Sequence, residues 1–347
     1  MRGTLMPNIA MLSCWNHYHA KSFVRDLAEF PEARIVAAWD DDLVRGRAYA
    51  EEFGAAFEPN LAALLARPDI DGVIVDSSPE QAASLIEIAA KAGKHVLADQ
   101  VLALTLEEAN RVAAWIRRSN IHFALDMSLM RWPVNLAAKK VAVTGAIGGI
   151  TGVRIRNAHD GASGEVPLAS RFLDSRYGVF TDLGAHCLYL MHWLLGQPVA
   201  VTAITSSYSG NKAEDNAASL FEYANGMLAI CDSSYAADQS PFSIELYGTA
   251  GSFLGGGASG VHRKLLQPSD SMVRFFAPEA RMDALQEAAA LPEAGESTLS
   301  LWLKAIQGRD SEILTGVEEG IALAATLEAL YLSAQTGRKI LLKDLQP

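Results

Sequence analysis

Over the first 125 residues, short apolar runs alternate with helical patterns, and this alternation limits the possible folds more than any other feature. Residues 8–12, 34–39, 72–75, 95–98 and 122–125 read as strands. Because these runs are continuously apolar, they suit strands covered on both faces. Between them come helical segments: Phe23, Leu27 and Phe30 at i, i+4 and i+7, then residues 44–53 closed by Gly54, 61–66, 84–92 closed by Gly93, and 106–118. Strands and helices in this order imply parallel pairing through right-handed crossovers. Sheets of that kind bind ligands at the carboxyl ends of their strands. The rule singles out four loops, at residues 13–19, 40–42, 76–79 and 99–101.

After Gly148-Gly149 the rhythm changes. Residues 150–156, 199–205, 217–223, 227–232 and 243–247 read as strands, and Asn225-Gly226 between two of them is a strong hairpin signal. One helix, residues 180–195, interrupts the strands and ends at Gly196 and Pro198. Helices return at 299–306 and 318–336. Residues 268–296 are polar and read as a variable excursion. The chain therefore divides into a domain of residues 1–125 on a parallel sheet and an α+β domain of residues 126–347 on a mixed, largely antiparallel open sheet.

With 347 residues, 50% of them hydrophobic, the chain can build two cores. Its net charge of -11 argues against nucleic acid or an anionic membrane as partner. Cys14, Cys187 and Cys231 are few, odd in number and far apart, so no disulfide framework is expected and a reducing compartment fits. A basic stretch leading into a long apolar run is missing from the start, and no run approaches the ~20 apolar residues of a membrane span. The expectation is a soluble cytoplasmic protein.

Several pieces resemble the Gfo/Idh/MocA family of oxidoreductases. They are Ala92-Gly93-Lys94-His95-Val96-Leu97-Ala98-Asp99-Gln100-Val101-Leu102-Ala103, the run Asp182-Leu183-Gly184-Ala185-His186, the strand Glu245-Leu246-Tyr247-Gly248-Thr249-Ala250-Gly251-Ser252, and Ser333-Ala334-Gln335-Thr336-Gly337-Arg338. The resemblance implies a Rossmann domain followed by an open α/β domain that binds substrate and forms homodimers or homotetramers through its sheet. It also implies hydride transfer between NAD(P) and a hydroxyl carbon of a sugar, cyclitol or similar polyol. Two other readings remain: NAD-assisted cleavage of a glycoside, and a non-catalytic member that binds a ligand or partner.

The departures from the family pattern decide which residues matter. The family has a glycine-rich turn after its first strand, where the backbone approaches a pyrophosphate. Here Ser13-Cys14-Trp15-Asn16-His17-Tyr18-His19 has no glycine and is shorter by about two residues, judged from the following apolar positions. By resemblance, Ser13, Cys14, Trp15, Asn16 and His17 hold the dinucleotide, with donors on Ser13, Asn16 and His17. Trp15 has two readings, stacking on a ring or packing. Any metal site at His17 and His19 would need ligands that the sequence does not place, so none is expected. Asp40 ends the second strand, where an acid accepts from ribose hydroxyls and disfavours a 2′-phosphate, favouring NAD over NADP. Its other reading is an ordinary acid at a helix start. Ser77 and Ser78 stand beside the cofactor position, in place of the family's Thr-Pro-Asn.

Asp99-Gln100-Val101 replaces the family's Glu-Lys-Pro. Gln100 can donate a hydrogen bond but carries no charge, and losing a general acid–base lysine costs on the order of 10²–10⁴ in rate. Asp182 and His186, four residues apart, match family positions. There the acid orients the imidazole and His186 takes the hydroxyl proton. The family often has an acid three residues later, where this chain has Tyr189, which either donates to a substrate hydroxyl or packs. Asn157 and His159 either line the substrate site or form an ordinary polar loop.

Overall fold

The computed structural model describes residues 6–162, 170–175, 177–237, 242–257 and 271–345. The chain forms two compact units. The first runs through Met127 and regains Glu296–Ala324; the second comprises Ser128–Gly295 and the chain from Ala325.

In the first unit the strands β1 (Asn8–Leu12), β2 (Arg34–Trp39), β3 (Ala56–Phe57), β4 (Gly72–Val75), β5 (His95–Asp99) and β6 (Phe123–Asp126) make one parallel sheet. Their order is β3-β2-β1-β4-β5-β6. This is the doubly wound Rossmann order, which reverses direction between β1 and β4. The crossovers are α1 (His17–Leu27), α2 (Leu43–Phe53), α3 (Leu61–Ala66), α4 (Pro79–Lys91) and α5 (Leu106–Ser119). Local chemistry sets their ends. Asp42 caps α2 by accepting from the amides of Val44 and Arg45, and Gly54 closes it at φ 67°. Thr105 caps α5, whose first turn carries Glu107 and Glu108 and whose last carries Arg117 and Arg118, matching the helix dipole.

The segment 296–324 corrects the boundary drawn from sequence, which gave everything after 125 to the second domain. Its helix, Thr298–Ile306, carries Trp302, which is fully buried in one core with Ile9, Met11, Phe23, Leu27, Ile74 and Leu97. The Trp302 Nε1 donates to the His122 carbonyl (3.2 Å). Thr315 and Leu125 exchange two hydrogen bonds, from Leu125 N to Thr315 O and from Thr315 Oγ1 to Leu125 O. Proximity in sequence could not reveal this return.

The second unit starts with a 3₁₀ turn, Ser128–Arg131, and α6 (Pro133–Thr144), a helix the sequence pattern did not single out. Its strands are β7 (Ile150–Ala158), β8 (Ala200–Ser206), β9 (Asn216–Glu222), β10 (Leu228–Ser234), β11 (Ser243–Gly248), β12 (Gly251–Gly257), β13 (Ser271–Phe276) and β14 (Ile340–Leu341). They order as β13-β12-β11-β7-β10-β9-β8-β14. Among the described residues of this sheet, only β7 and β10 pair in parallel. The expected hairpin joins β9 to β10, with Gly226 at φ 84° and Asn225 Oδ1 accepting from Met227 N (3.1 Å). Described parts of the expected excursion are ordered as β13 and the helix Glu279–Ala289; residues 268–270 lie outside the described set. The helix expected over 180–195 is two pieces, a π-helical turn Phe180–Gly184 and α7 (Ala185–Leu195). Among the described residues, no helix is long and apolar enough to cross a membrane.

Candidate active site

Chemistry-bearing residues gather in two places, one in each unit. In the first unit they lie at the carboxyl edge of the sheet, where reversal of strand order places the turn after β1 beside the loop after β4. The turn's own hydrogen bonds define its character. Ser13 N donates to Trp39 O (2.7 Å), Cys14 N to Asp40 Oδ2 (3.0 Å), Trp15 N to Asp76 O (2.9 Å) and Asn16 N to Asp76 Oδ1 (3.3 Å). The Asn16 carbonyl oxygen then caps α1, accepting from Tyr18 N (3.2 Å) and His19 N (3.5 Å). Six of the seven amides from 13 to 19 thus have acceptors inside the protein.

The side chains of the turn are held in different ways. Asn16 does not offer its side-chain oxygen outward; it serves the first turn of its own helix. Cys14 is buried, and its thiol is pushed far up by burial, then by Asp76 and Asp40, so it contributes through its backbone alone. The Ser13 hydroxyl is buried without a hydrogen-bond partner among the described residues. Its backbone sits at φ 65°, the left-handed region that glycine adopts without strain. Ser13 thus takes a backbone conformation usual for glycine. This turn, at the switch point of the strand order and leading into a helix N-terminus, fits a dinucleotide.

Asp40 is the tie between β1 and α2. Its carboxylate, fully buried, accepts from Cys14 N, from Asp42 N (2.8 Å), and from Arg45 through Nε (2.9 Å) and Nη2 (2.6 Å). A carboxylate offers about four lone-pair sites, and all are taken here. Asp40 thereby ties the turn after β1 to the start of α2. Burial pushes its carboxyl up, against the pull of the Arg45 fork and the Asp42 amide. Asp41 accepts from Arg45 (2.7 Å) and Gln81 (2.9 Å). Ser77 and Ser78 are half-buried at the start of α4, with Ser77 Oγ donating to Ser78 O (3.1 Å).

At the end of β5, Asp99 Oδ2 lies 2.7 Å from Nδ1 of His19, a partnership the sequence did not suggest. Gln100 follows at φ 57°, buried, inside a three-residue turn closed by Val101 N donating to Asp99 O (2.8 Å). A non-glycine residue held there stores strain, a mark of functional positions.

The second unit gathers its polar groups around the π-helical turn. Glu214 anchors that turn, accepting from Gly178 N (2.9 Å), Phe180 N (3.3 Å) and the Tyr331 hydroxyl (2.7 Å). A Cβ on Gly178 would come 2.1 Å from Glu214 O, so only glycine fits. Asp182 accepts from the buried Tyr235 hydroxyl (2.5 Å). Burial, then Asp182, pushes that phenol's pKa well up. His159 stacks on Tyr235 at 5.2 Å between ring centroids and accepts from Gly161 N through Nδ1 (2.9 Å). Burial lowers its pKa, opposed by Asp182 and Asp160. Asn157 Nδ2 donates to Leu183 O (3.2 Å), which holds β7 to the turn.

His186 Nδ1 lies 2.7 Å from the Tyr189 hydroxyl, which also accepts from Leu129 N (3.0 Å). Tyr189 is 3% exposed. Its hydroxyl thus joins the histidine to the 3₁₀ turn, as expected of the packing reading. Tyr235, Glu214, Leu129 and Asn135 were missed because their partners are 34–117 residues away or lie on the main chain. Among the described residues, no cluster of His, Cys, Asp and Glu could hold a metal.

A Rossmann sheet followed by a mixed sheet that carries the His186–Tyr189 and Asp182–Tyr235 pairs is the arrangement of a two-domain dehydrogenase-type protein. Residues 15–126 match the model of the oxidoreductase family with an NAD-binding Rossmann fold, and residues 135–254 match the GFO/IDH/MocA C-terminal domain. The chain belongs to the Gfo/Idh/MocA family of oxidoreductases. It is 28% identical over 341 residues to D-apiose dehydrogenase of Paraburkholderia graminis, covering 95% of this chain and 87% of that one. It is 26% identical to 1,5-anhydro-D-fructose reductase of Ensifer adhaerens, covering 88% and 90%. Similar folds include GenD2 from gentamicin A biosynthesis in complex with NAD (TM-score 0.77, 23% identity, 98% of each chain). Another is levoglucosan dehydrogenase with NADH and levoglucosan (TM-score 0.75, 20% identity, 97% and 99%).

Proposed function

We propose that this protein is an NAD-dependent oxidoreductase acting at a hydroxyl-bearing carbon of a sugar, cyclitol or similar polyol. The observation that carries this reading is His186, a buried imidazole held through Nδ1 at the Tyr189 hydroxyl, four residues after the Asp182 that accepts from Tyr235, on the scaffold of a dehydrogenase family. When bound, NAD supplies the hydride acceptor. The chain's own residues do the rest. Trp15, His17, Ser77 and Ser78 surround the dinucleotide site at the carboxyl edge. Three acids in a row at the end of β2, Asp40, Asp41 and Asp42, oppose a 2′-phosphate and favour NAD over NADP. Asp99 orients His19, and Gln100 offers an uncharged donor where relatives have a lysine. His186 Nε2 is the nitrogen assigned to the substrate oxygen, with Asp182 as the nearby negative charge.

The curated relatives named above act, by their names, on apiose and on anhydrofructose, which supports a polyol or sugar substrate. We also assign a homo-oligomer. The outer face of the second sheet exposes Ile204, Leu220, Leu228 and Ile230, with Leu220 and Ile230 paired across β9 and β10. A second copy covering this stripe removes it from water. A cytoplasmic location accords with the three buried cysteine thiols.

The test has two stages. Calorimetric titration with NAD and NADP should show binding, tighter for NAD. A polyol and sugar panel should then reduce NAD, and His186→Ala should lower kcat by at least about 10² while leaving NAD affinity unchanged. No affinity for either dinucleotide, or full activity in His186→Ala, refutes the reading.

A further inference from the structure

The helical stretch that carries Asp182 and His186 has no cap of its own. It starts at Val179, whose side chain has no oxygen and makes no capping bond. The first amides of a helix need acceptors from elsewhere. Glu214, just before β9, supplies them, and three consecutive amides turn to this one residue. Gly178 N (2.9 Å) and Phe180 N (3.3 Å) donate to its Oε1, and Val179 N donates to its main-chain oxygen (3.0 Å). Oε1 also accepts from the Tyr331 hydroxyl (2.7 Å). The next residue fixes the partner of Asp182. The Asp215 carbonyl accepts from Tyr235 N (2.8 Å), and the Tyr235 hydroxyl donates to Asp182 (2.5 Å). Asp215 is itself fully buried, its carboxylate accepting from the amides of Tyr208 and Ser209 (both 2.7 Å). Residues 214 and 215 therefore hold both partners of the Asp182–Tyr235 bond.

We infer that Glu214 is a positioning residue for the reaction: it sets where Asp182 stands by capping the π-helical turn from more than thirty residues away. This rests on the proposed oxidoreductase function and deepens it. Asp182 lies in the middle of the turn Phe180–Gly184, where Gly184 N donates to Val179 O (2.8 Å). A π turn holds one residue more than an α turn. Releasing residues 178–180 lets the turn close as α, which moves Asp182 relative to Tyr235. A misplacement of about 1 Å costs up to about 10² in rate. Reach, not charge, is the means. All three bonds to the side chain go to one oxygen, which a glutamine also has. Burial pushes the Glu214 carboxyl up against the pull of these donors, so the site does not favour the charge for itself. An aspartate keeps the charge, is one methylene shorter, and loses the amides.

The experiment compares Glu214→Ala, Glu214→Asp and Glu214→Gln in the full chain. With a substrate from the polyol panel, the alanine and aspartate variants should lower kcat by about 10- to 100-fold with KM within about threefold, while glutamine keeps kcat within about threefold. In an Asp182→Asn background, Glu214→Ala should lower kcat by less than about threefold, because a residue that acts through Asp182 then has nothing left to position. Full additivity of the two changes, or activity kept by aspartate and lost by glutamine, overturns the inference. Where Glu214→Ala does not fold, Glu214→Asp takes its place in both comparisons. Amide hydrogen exchange of the protein alone gives a second reading. Residues 178–184 should exchange at least about tenfold faster in Glu214→Asp and close to the native rate in Glu214→Gln. Equal protection in the native chain and Glu214→Asp overturns the inference. If no polyol is oxidised, the proposed function fails, while the exchange rates still decide whether Glu214 holds the turn, because they need neither substrate nor cofactor.

Discussion

Asp40 offers the sharpest test of how this edge of the sheet is built. Asp40→Asn keeps the shape and removes the charge. The native carboxylate accepts four hydrogen bonds, two of them from the mostly enclosed Arg45 guanidinium. An amide has one accepting oxygen, so its NH₂ group must face donors, either the Arg45 fork or the amides of Cys14 and Asp42. Because burial outweighs the hydrogen bonds in setting the Asp40 pKa, the intact pair holds little surplus energy. The cost comes from breaking it, which leaves a cation without its counter-charge, and is about 3–5 kcal/mol for a buried pair. In a domain of this size that corresponds to a fall in Tm of about 6–20 °C. The assay is thermal unfolding without cofactor, followed by NAD titration below the variant's transition. The structure predicts a large loss of stability, with NAD affinity in the folded fraction reduced by less than about tenfold, since the ribose gains little from an acid whose lone pairs are used. The opposite outcome, an unchanged Tm and an affinity lost by 10² or more, would falsify the structural role and restore Asp40 as the ribose acceptor.

Three further outcomes are expected. Ser13→Gly relieves a left-handed backbone and removes a buried hydroxyl that has no partner, against the extra chain entropy of glycine, so it should raise stability by about 1 kcal/mol, read as a higher urea midpoint. Tyr235→Phe takes a 2.5 Å donor from Asp182 and should cost about 1.5–3 kcal/mol in unfolding free energy, with a fall in kcat larger than any change in KM. Stability should also fall with acid. Burial, aided by His122, lowers His95 to about 4, and burial alone lowers His192 to about 4. Unfolded histidines titrate near 6.5, so between these values the unfolded chain binds more protons than the native one. Stability is therefore lost as pH falls from about 6.5 to about 4 and levels off below, by up to about 3 kcal/mol for the more enclosed His192. Urea unfolding at stepped pH checks this, and a flat profile over that window contradicts it.

The parallel sheet was legible because its strands are buried on both faces and read as unbroken apolar runs, such as Gly72–Val75. The hairpin at Asn225-Gly226 was legible because a positive φ has few residue choices. What could not be read depends on contacts between distant residues. Trp302 returns to the first core, and nothing in residues 299–306 alone says which core it joins. The π-helical turn at 180–184 has no sequence signature of its own; it is held by Glu214, more than thirty residues away. At the site, the residue types at Asp182 and His186 were visible, but their partners were not. Tyr189 had two readings, donating to substrate or packing, and its partner, the backbone amide of Leu129, lies sixty residues away in sequence.

The same accounting of donors bears on how a dinucleotide is held. Glycine turns grip a pyrophosphate with backbone N–H groups left over by the fold. Here six of those amides have acceptors in the protein, two of them on the Asn16 side chain. The turn is therefore already stable without ligand and gains little order on binding, which lowers the entropic cost of association. It also has less to offer in direct hydrogen bonds. Affinity must then come from side chains around the edge and from the dipole of the eleven-residue α1, an interaction screened by salt. NAD binding here should accordingly weaken with ionic strength more steeply than binding to a glycine turn. Asn16→Gly should separate the two contributions. Removing the cap returns the Tyr18 and His19 amides to the ligand and should tighten NAD binding even as it loosens the helix start.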